Sequence, residues 1–72
     1  MKLRIEIRDE DAALIGELLE VMNASDFNSH GPLDLKRLAE LLLEDVALAV
    51  RRPGSWEGAN MGQVLRSHGY SV

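Results

Sequence analysis

The first eight residues alternate strictly between charged and aliphatic side chains. The charged residues are Lys2, Arg4, Glu6 and Arg8, and the aliphatic residues between them are Leu3, Ile5 and Ile7. A period of two is typical of a half-buried β-strand. The backbone N–H and C=O groups of a strand need partners, and the chain has no second convincing strand. The pattern therefore predicts that this strand pairs with its counterpart in a second copy, or with a short segment elsewhere in the chain.

A length of 72 residues predicts one domain, 1–72, with a small core. A chain of this size buries only about 60% of the surface that it exposes when unfolded. It contains no cysteine, which excludes disulfides and thiolate metal sites within the chain. The remaining route to stability is oligomerisation, so we expect a homodimer.

The net charge of −4 is unevenly distributed along the chain. Residues 1–8 carry three bases and one acid, residues 9–50 carry ten acids and two bases, and residues 51–72 carry three bases and one acid. An acidic protein is disfavoured as a non-specific binder of nucleic acid or anionic lipid. The two basic ends still leave room for a directed contact.

Helical periodicity predicts helices over 10–23 and 34–52 and a short third helix over 55–68, which gives a mainly α fold. Asp9 is the expected N-cap of the first helix. Pro53 and Gly54 are expected to end the second, and Ser55 or Asn60 to cap the third. Residues 23–32, in which Asn, Ser, Asp, Gly and Pro are concentrated, are predicted to form a loop.

The second predicted helix has an apolar surface wider than one neighbouring helix covers. Leu41 and Leu48 lie seven residues apart near its charged side. Apolar residues at this spacing favour a subunit interface, and incidental exposure is the alternative.

The order of a short basic–aliphatic strand followed by two helices resembles the ribbon-helix-helix superfamily of DNA-binding proteins. The resemblance covers residues 1–52 and implies an intertwined homodimer with one two-stranded ribbon. It implies that the outward side chains contact DNA and that the aliphatic ones join the dimer interface. The implied DNA-binding residues are Lys2, Arg4, Glu6 and Arg8, and the implied strand residues of the interface are Leu3, Ile5 and Ile7.

Three features each allow a simpler interpretation. The charged side of the strand is either a reader of base edges or a solvated face. Arg51 and Arg52 either hold phosphates or complement the dipole at a helix C-terminus. Trp56 either anchors a partner protein or covers the end of the second helix.

The leading functional hypothesis is a small DNA-binding transcriptional regulator that acts through the ribbon of a homodimer. The alternative is a non-enzymatic protein–protein interaction or accessory module that uses the second helix and the Trp56 region. An enzyme is not expected, because no nucleophile–base pair or metal constellation is recognisable. His30 and His68 stand alone, so we expect no metal and no cofactor.

The sequence also predicts a cytoplasmic protein without a membrane anchor. No apolar run approaches the ~20 residues that cross a bilayer, and the N-terminus lacks the continuous apolar region of a secretion signal. The absence of cysteine agrees with a reducing compartment.

Overall fold

The computed structural model describes residues 1–24 and 31–72, and these ranges are mainly helical. The three helices are α1 (Asp9–Asn23), α2 (Leu35–Arg51) and α3 (Trp56–Ser67). They occupy the regions for which the sequence predicted helices over 10–23, 34–52 and 55–68. The centre of the predicted loop, including His30, lies outside the described residues.

The predicted N-terminal strand is wrong, and with it the ribbon-helix-helix fold and its intertwined homodimer. Residues 1–8 adopt neither strand nor helix, and no described residue belongs to a β-strand. Leu3 is 67% exposed and Ile5 is 59% exposed, so the alternation buries little in this chain. A strand is stable only beside another strand, and the described parts of this chain supply none.

The chain divides into two compact units, Met1–Leu35 and Lys36–Val72, which we call the N-terminal and C-terminal units. The N-terminal unit contains α1. Arg8, at the N-cap of α1, has an extended backbone and makes no side-chain cap bond. The predicted cap Asp9 is instead the first helical residue, and it joins Glu10 and Asp11 in an acidic first turn. Their carboxylates complement the positive end of the helix dipole.

One side of α1 is covered and another is exposed. Leu19 is 9% exposed and is the one buried hydrophobic residue among the described residues.

After α1, the side chain of Asn23 forms two hydrogen bonds with the backbone of Leu33. Asn23 Nδ2 donates to the Leu33 carbonyl at 2.8 Å, and the Leu33 N–H donates to Asn23 Oδ1 at 2.7 Å. This pair of bonds ties the end of α1 to the residues just before α2.

The C-terminal unit is built on a tight turn between α2 and α3. The Ser55 N–H donates to the Arg52 carbonyl at 3.0 Å, which closes a four-residue turn around Pro53 and Gly54. Proline cannot continue the helix and is favoured at the second position of such a turn.

Helix α3 ends in a Schellman motif. Gly69 has a φ of +92°, a conformation that glycine adopts without a steric penalty. Its N–H donates to the Arg66 carbonyl at 2.9 Å, and the Tyr70 N–H donates to the Leu65 carbonyl at 3.1 Å. These two bonds satisfy carbonyls that the end of a helix would leave unpaired.

Candidate functional site

The most exposed large aromatic side chain of the described chain belongs to Trp56, the first residue of α3. It is 78% exposed, so it does not cover the end of α2. The chain contains a single tryptophan. An exposed tryptophan is a large apolar surface that contact with another molecule would remove from water.

The backbone that carries Trp56 is held on both sides by local hydrogen bonds. Ser55 is the N-cap of α3, and its Oγ accepts from the Gly58 N–H at 3.1 Å while donating to the Arg52 carbonyl at 2.7 Å. Asn60 Nδ2 donates to the Trp56 carbonyl at 2.7 Å. Ser55, one of the two caps that the sequence predicted, therefore fixes the start of the helix that presents the indole.

Gly58 brings the start of α3 close to the end of α2. Gly58 and Gly62 are buried and lie one turn apart on α3. A Cβ atom at Gly58 would lie 2.5 Å from the Arg52 carbonyl oxygen and 2.6 Å from that of Leu48. The side of α3 that carries Gly58 therefore faces α2.

Trp56 lies on the opposite side of α3. Two residues along an α-helix correspond to a rotation of about 200°, so Trp56 points away from the side that Gly58 turns toward α2. Residues at spacings of four, seven and eleven from it share its face. We call this surface the outer face of α3, and its members are Trp56, Asn60, Gln63 and Ser67. It combines one aromatic ring with amide and hydroxyl groups, a composition that suits the centre and rim of a protein interface.

The residues predicted to bind DNA do not form a ribbon. Lys2, Arg4, Glu6 and Arg8 are all exposed in the segment before α1. Arg8 Nε lies 2.9 Å from Asp11 Oδ2, so this base is paired with the first turn of α1. The pair is exposed and contributes at most about 1 kcal/mol. Whether these side chains touch DNA stays a prediction.

The residues predicted for a dimer interface fall into two groups. Leu3 and Ile5 are exposed, and Ile7 is less so. Leu41 and Leu48 are half-buried within the chain, and the backbone of Leu48 lies against Gly58 of α3. Their role between two chains is a prediction without a structural test.

Sequence reasoning missed a second pair on α2. Leu43 and Val50 are also seven residues apart, and both are exposed. The two pairs look alike in the sequence, but Leu41 and Leu48 are half-buried whereas Leu43 and Val50 are exposed. The seven-residue spacing of Leu43 and Val50 is visible in the sequence, but it does not show which side of α2 the rest of the chain covers.

The large aliphatic residues of α1 differ in exposure. Leu14, Leu18 and Val21 follow a spacing of four and three residues and are exposed. Leu19, one position beyond Leu18, is buried. The apolar arc of α1 is therefore wider than the part that the chain covers.

The described residues contain no group of three histidine, cysteine, aspartate or glutamate side chains placed to hold a metal ion. None of the helices in the described ranges is both long and apolar enough to cross a membrane.

No family model matches the chain, and the searches of curated proteins and of solved structures find no match either.

Proposed function

We propose that this protein is a non-enzymatic protein–protein interaction module that contacts its partner through the outer face of α3. The observation that carries the proposal is the 78% exposure of Trp56 at the first position of a capped helix. Tryptophan is enriched among the few residues that supply most of the binding energy of protein interfaces. The DNA-binding hypothesis depended on a ribbon that the described residues do not form.

The hydrogen-bonded backbone around Trp56 supports this role. Binding is weakened by the entropy lost when flexible groups become ordered. The Ser55 cap, the Asn60 amide and the close approach at Gly58 fix the backbone that carries the indole before any partner arrives. A partner therefore orders only a side chain with two rotatable bonds.

Affinity capture tests the proposal with a matched pair of variants. The full chain and its Trp56→Ala variant are immobilised and exposed to an extract of cells that produce the protein, and bound proteins are identified by mass spectrometry. Tyr70→Ala is the control, because Tyr70 is also exposed and aromatic but lies beyond α3. We expect at least one protein to be retained by the wild-type chain and the control and lost from the Trp56→Ala variant.

The retained protein is then purified and titrated into the wild-type chain. Trp56 is the only tryptophan of the chain, so a tryptophan-free fragment of the partner should shift its fluorescence to the blue as the indole leaves water. The proposal is overturned if no captured protein depends on Trp56, or if a captured protein binds without changing this fluorescence.

Duplex DNA binding by the C-terminal unit is a second candidate function. Its support is the four-residue connection between α2 and α3, a length found in helix-turn-helix proteins. Arg51, Arg52 and Arg66 are exposed in this unit. Against it, the first turn of α3 would offer Trp56 and Glu57 to the groove, and a carboxylate repels phosphate.

A labelled duplex of random sequence tests this second candidate by fluorescence anisotropy. A DNA-binding unit should lose affinity steeply as salt rises. It should also weaken when Arg51→Gln and Arg52→Gln are combined, while Lys36→Gln leaves the affinity nearly unchanged. Absence of duplex binding at low salt removes the candidate.

A further inference from the structure

We infer that the N-terminal arm, residues 1–8, binds a partner by adding a strand to the open edge of that partner's β-sheet, and that the edge it fits carries acidic side chains. The inference rests on the proposed interaction function and adds a second contact to it. In strand addition, main-chain hydrogen bonds give affinity and alternate side chains give specificity.

The first support is a sequence pattern that the fold of this chain does not use. Charged and aliphatic residues alternate over the whole arm, yet the arm has no strand partner among the described residues. The exposure of the aliphatic side chains rises with distance from α1, from Ile7 through Ile5 to Leu3. A period-two pattern gains stability only on a pleated surface with one buried face. The described residues provide no such surface, and we therefore place it on another molecule.

The second support is the junction between the arm and α1. Arg8 has φ −60° and ψ 139°, which is an extended backbone immediately before α1. Its carbonyl accepts from the Ala12 N–H at 2.9 Å, and its guanidinium is paired with Asp11. An extended backbone is usual at a helix N-cap; it allows the arm to continue from α1 as a strand, and these contacts hold the junction.

Charge identifies the chemistry of the partner. Lys2 and Arg4 lie far from α1 on one side of the alternating pattern, and Leu3 and Ile5 lie on the other. The acidic first turn of α1 balances the charge of Arg8, with which it is paired, but not the charges of the more distant Lys2 and Arg4. Opposite charges on neighbouring strands stabilise a sheet, and like charges that face each other destabilise it. The fitting edge therefore presents carboxylates beside Lys2 and Arg4 and an apolar face beneath Leu3 and Ile5.

The arm of a second copy fits this description poorly. Two paired arms would bring six bases and two acids onto one face, because each arm carries three bases and one acid. The net charge of +4 on that face, six bases minus two acids, opposes such pairing. The occupant that charge favours is the acidic edge of another protein.

A synthetic three-stranded antiparallel sheet with one open edge serves as the probe. Its edge strand carries glutamate on one face and valine on the other, and a charge-reversed version carries lysine in place of glutamate. The full-length chain, labelled with ¹⁵N, is titrated with each probe and followed by NMR. We expect saturable shifts confined to residues 2–8, slowed hydrogen exchange at alternate amides of the arm, and weaker binding of the charge-reversed probe.

Three arm variants separate strand addition from simple charge attraction. Exchanging two neighbours, as Arg4→Ile with Ile5→Arg, keeps the composition and breaks the alternation, and we expect it to weaken binding by about tenfold or more. Ile5→Pro should do the same, because proline lacks the N–H of a ladder bond. Ile5→Val should stay within about twofold, since valine also suits a strand. Circular dichroism confirms that each variant keeps its helices.

The inference is overturned if the glutamate probe does not bind, if the exchanged variant binds as tightly as the wild type, or if the lysine probe binds equally well. It is also overturned if arms pair with each other and exclude the probe. Trp56→Ala should leave probe binding unchanged, and the exchanged arm should leave Trp56-dependent capture detectable. Failure of the arm and failure of the α3 surface are therefore seen in different measurements.

Discussion

The backbone of Gly58 lies so close to that of Leu48 that a Cβ atom at position 58 would be 2.6 Å from the Leu48 carbonyl oxygen. The same carbonyl accepts the Arg52 N–H at 2.9 Å, so it belongs to the last bonded turn of α2. Backbone atoms cannot rotate away as a flexible side chain does. The contact therefore sets where α3 starts and, through it, where Trp56 stands.

Replacing Gly58 with alanine should destabilise the C-terminal unit. The added methyl group meets two backbone carbonyls, and such overpacking costs about 1–3 kcal/mol of unfolding free energy. Urea denaturation followed by circular dichroism measures the loss. Gly16→Ala is the matched control, because nothing lies within 4 Å of a Cβ at that position of α1. It should stabilise the protein by about 0.5–1 kcal/mol, and a Gly58→Ala variant as stable as wild type would contradict the contact.

Removing the cap of α3 should also lower stability. Ser55→Ala loses the acceptor for the Gly58 N–H and the donor to the Arg52 carbonyl, and loss of a helix N-cap costs about 0.5–2 kcal/mol. Thermal unfolding of Ser55→Ala, Ser55→Asp and Ser67→Ala measures the effect. Aspartate keeps the acceptor and should recover part of the loss, and Ser67→Ala, which removes only an exposed bond to the Val64 carbonyl, should change little. Equal melting temperatures for the two alanine variants would show that the cap is unimportant.

The two hydrogen bonds between Asn23 and the backbone of Leu33 should contribute more to the free energy of unfolding than one exposed hydrogen bond does. Asn23→Ala removes both contacts and should cost about 1–2 kcal/mol, since a typical net hydrogen bond contributes about 0.5–1.5 kcal/mol. Asn60→Ala removes one bond within α3 and is the control. Alanine is also the better helix former, so this control should be nearly neutral. Hydrogen exchange at the Leu33 amide reports the contact directly and should accelerate only in Asn23→Ala.

Two neighbouring leucines on α1 should respond very differently to truncation. Leu19 is 9% exposed and Leu18 is 55% exposed. Leu19→Ala should cost about 2–5 kcal/mol, the range for a buried leucine, which is a large share of the stability of a small domain. Leu18→Ala should cost far less, because most of that side chain is already in water. Similar losses in denaturant titrations of the two variants would contradict the observed face of α1.

Trp56 should behave in solution as an exposed indole. Its fluorescence should have the emission maximum of a free tryptophan amide and should be quenched by acrylamide nearly as efficiently. Trp56→Ala should change the free energy of unfolding by no more than about 0.5 kcal/mol, as expected for an exposed position outside the packed core. A blue-shifted, poorly quenched spectrum in the dilute protein would show that the indole is covered.

The sequence predicted the features of this protein that depend on neighbours a few residues away. Pro53 and Gly54 lie between α2 and α3, and Ser55 caps α3. Each helical hydrogen bond closes within four residues, so the information needed for these features lies in the local sequence. The predicted N-cap at Asp9 is wrong by one position, because Arg8 is the N-cap and Asp9 is the first helical residue. An aspartate suits both places, so the local sequence does not distinguish them.

Only the tertiary structure decided which apolar side chains are covered and whether the arm is a strand. Leu48 and Val50 are both aliphatic residues near the end of α2, but α3 lies against the backbone of Leu48 while Val50 stays exposed. The strict alternation of residues 1–8 is typical of a strand, yet strand hydrogen bonds come from a distant segment, and residues 1–24 and 31–72 supply none. Burial and strand pairing depend on groups far away along the chain or in another molecule, and local patterns do not specify them.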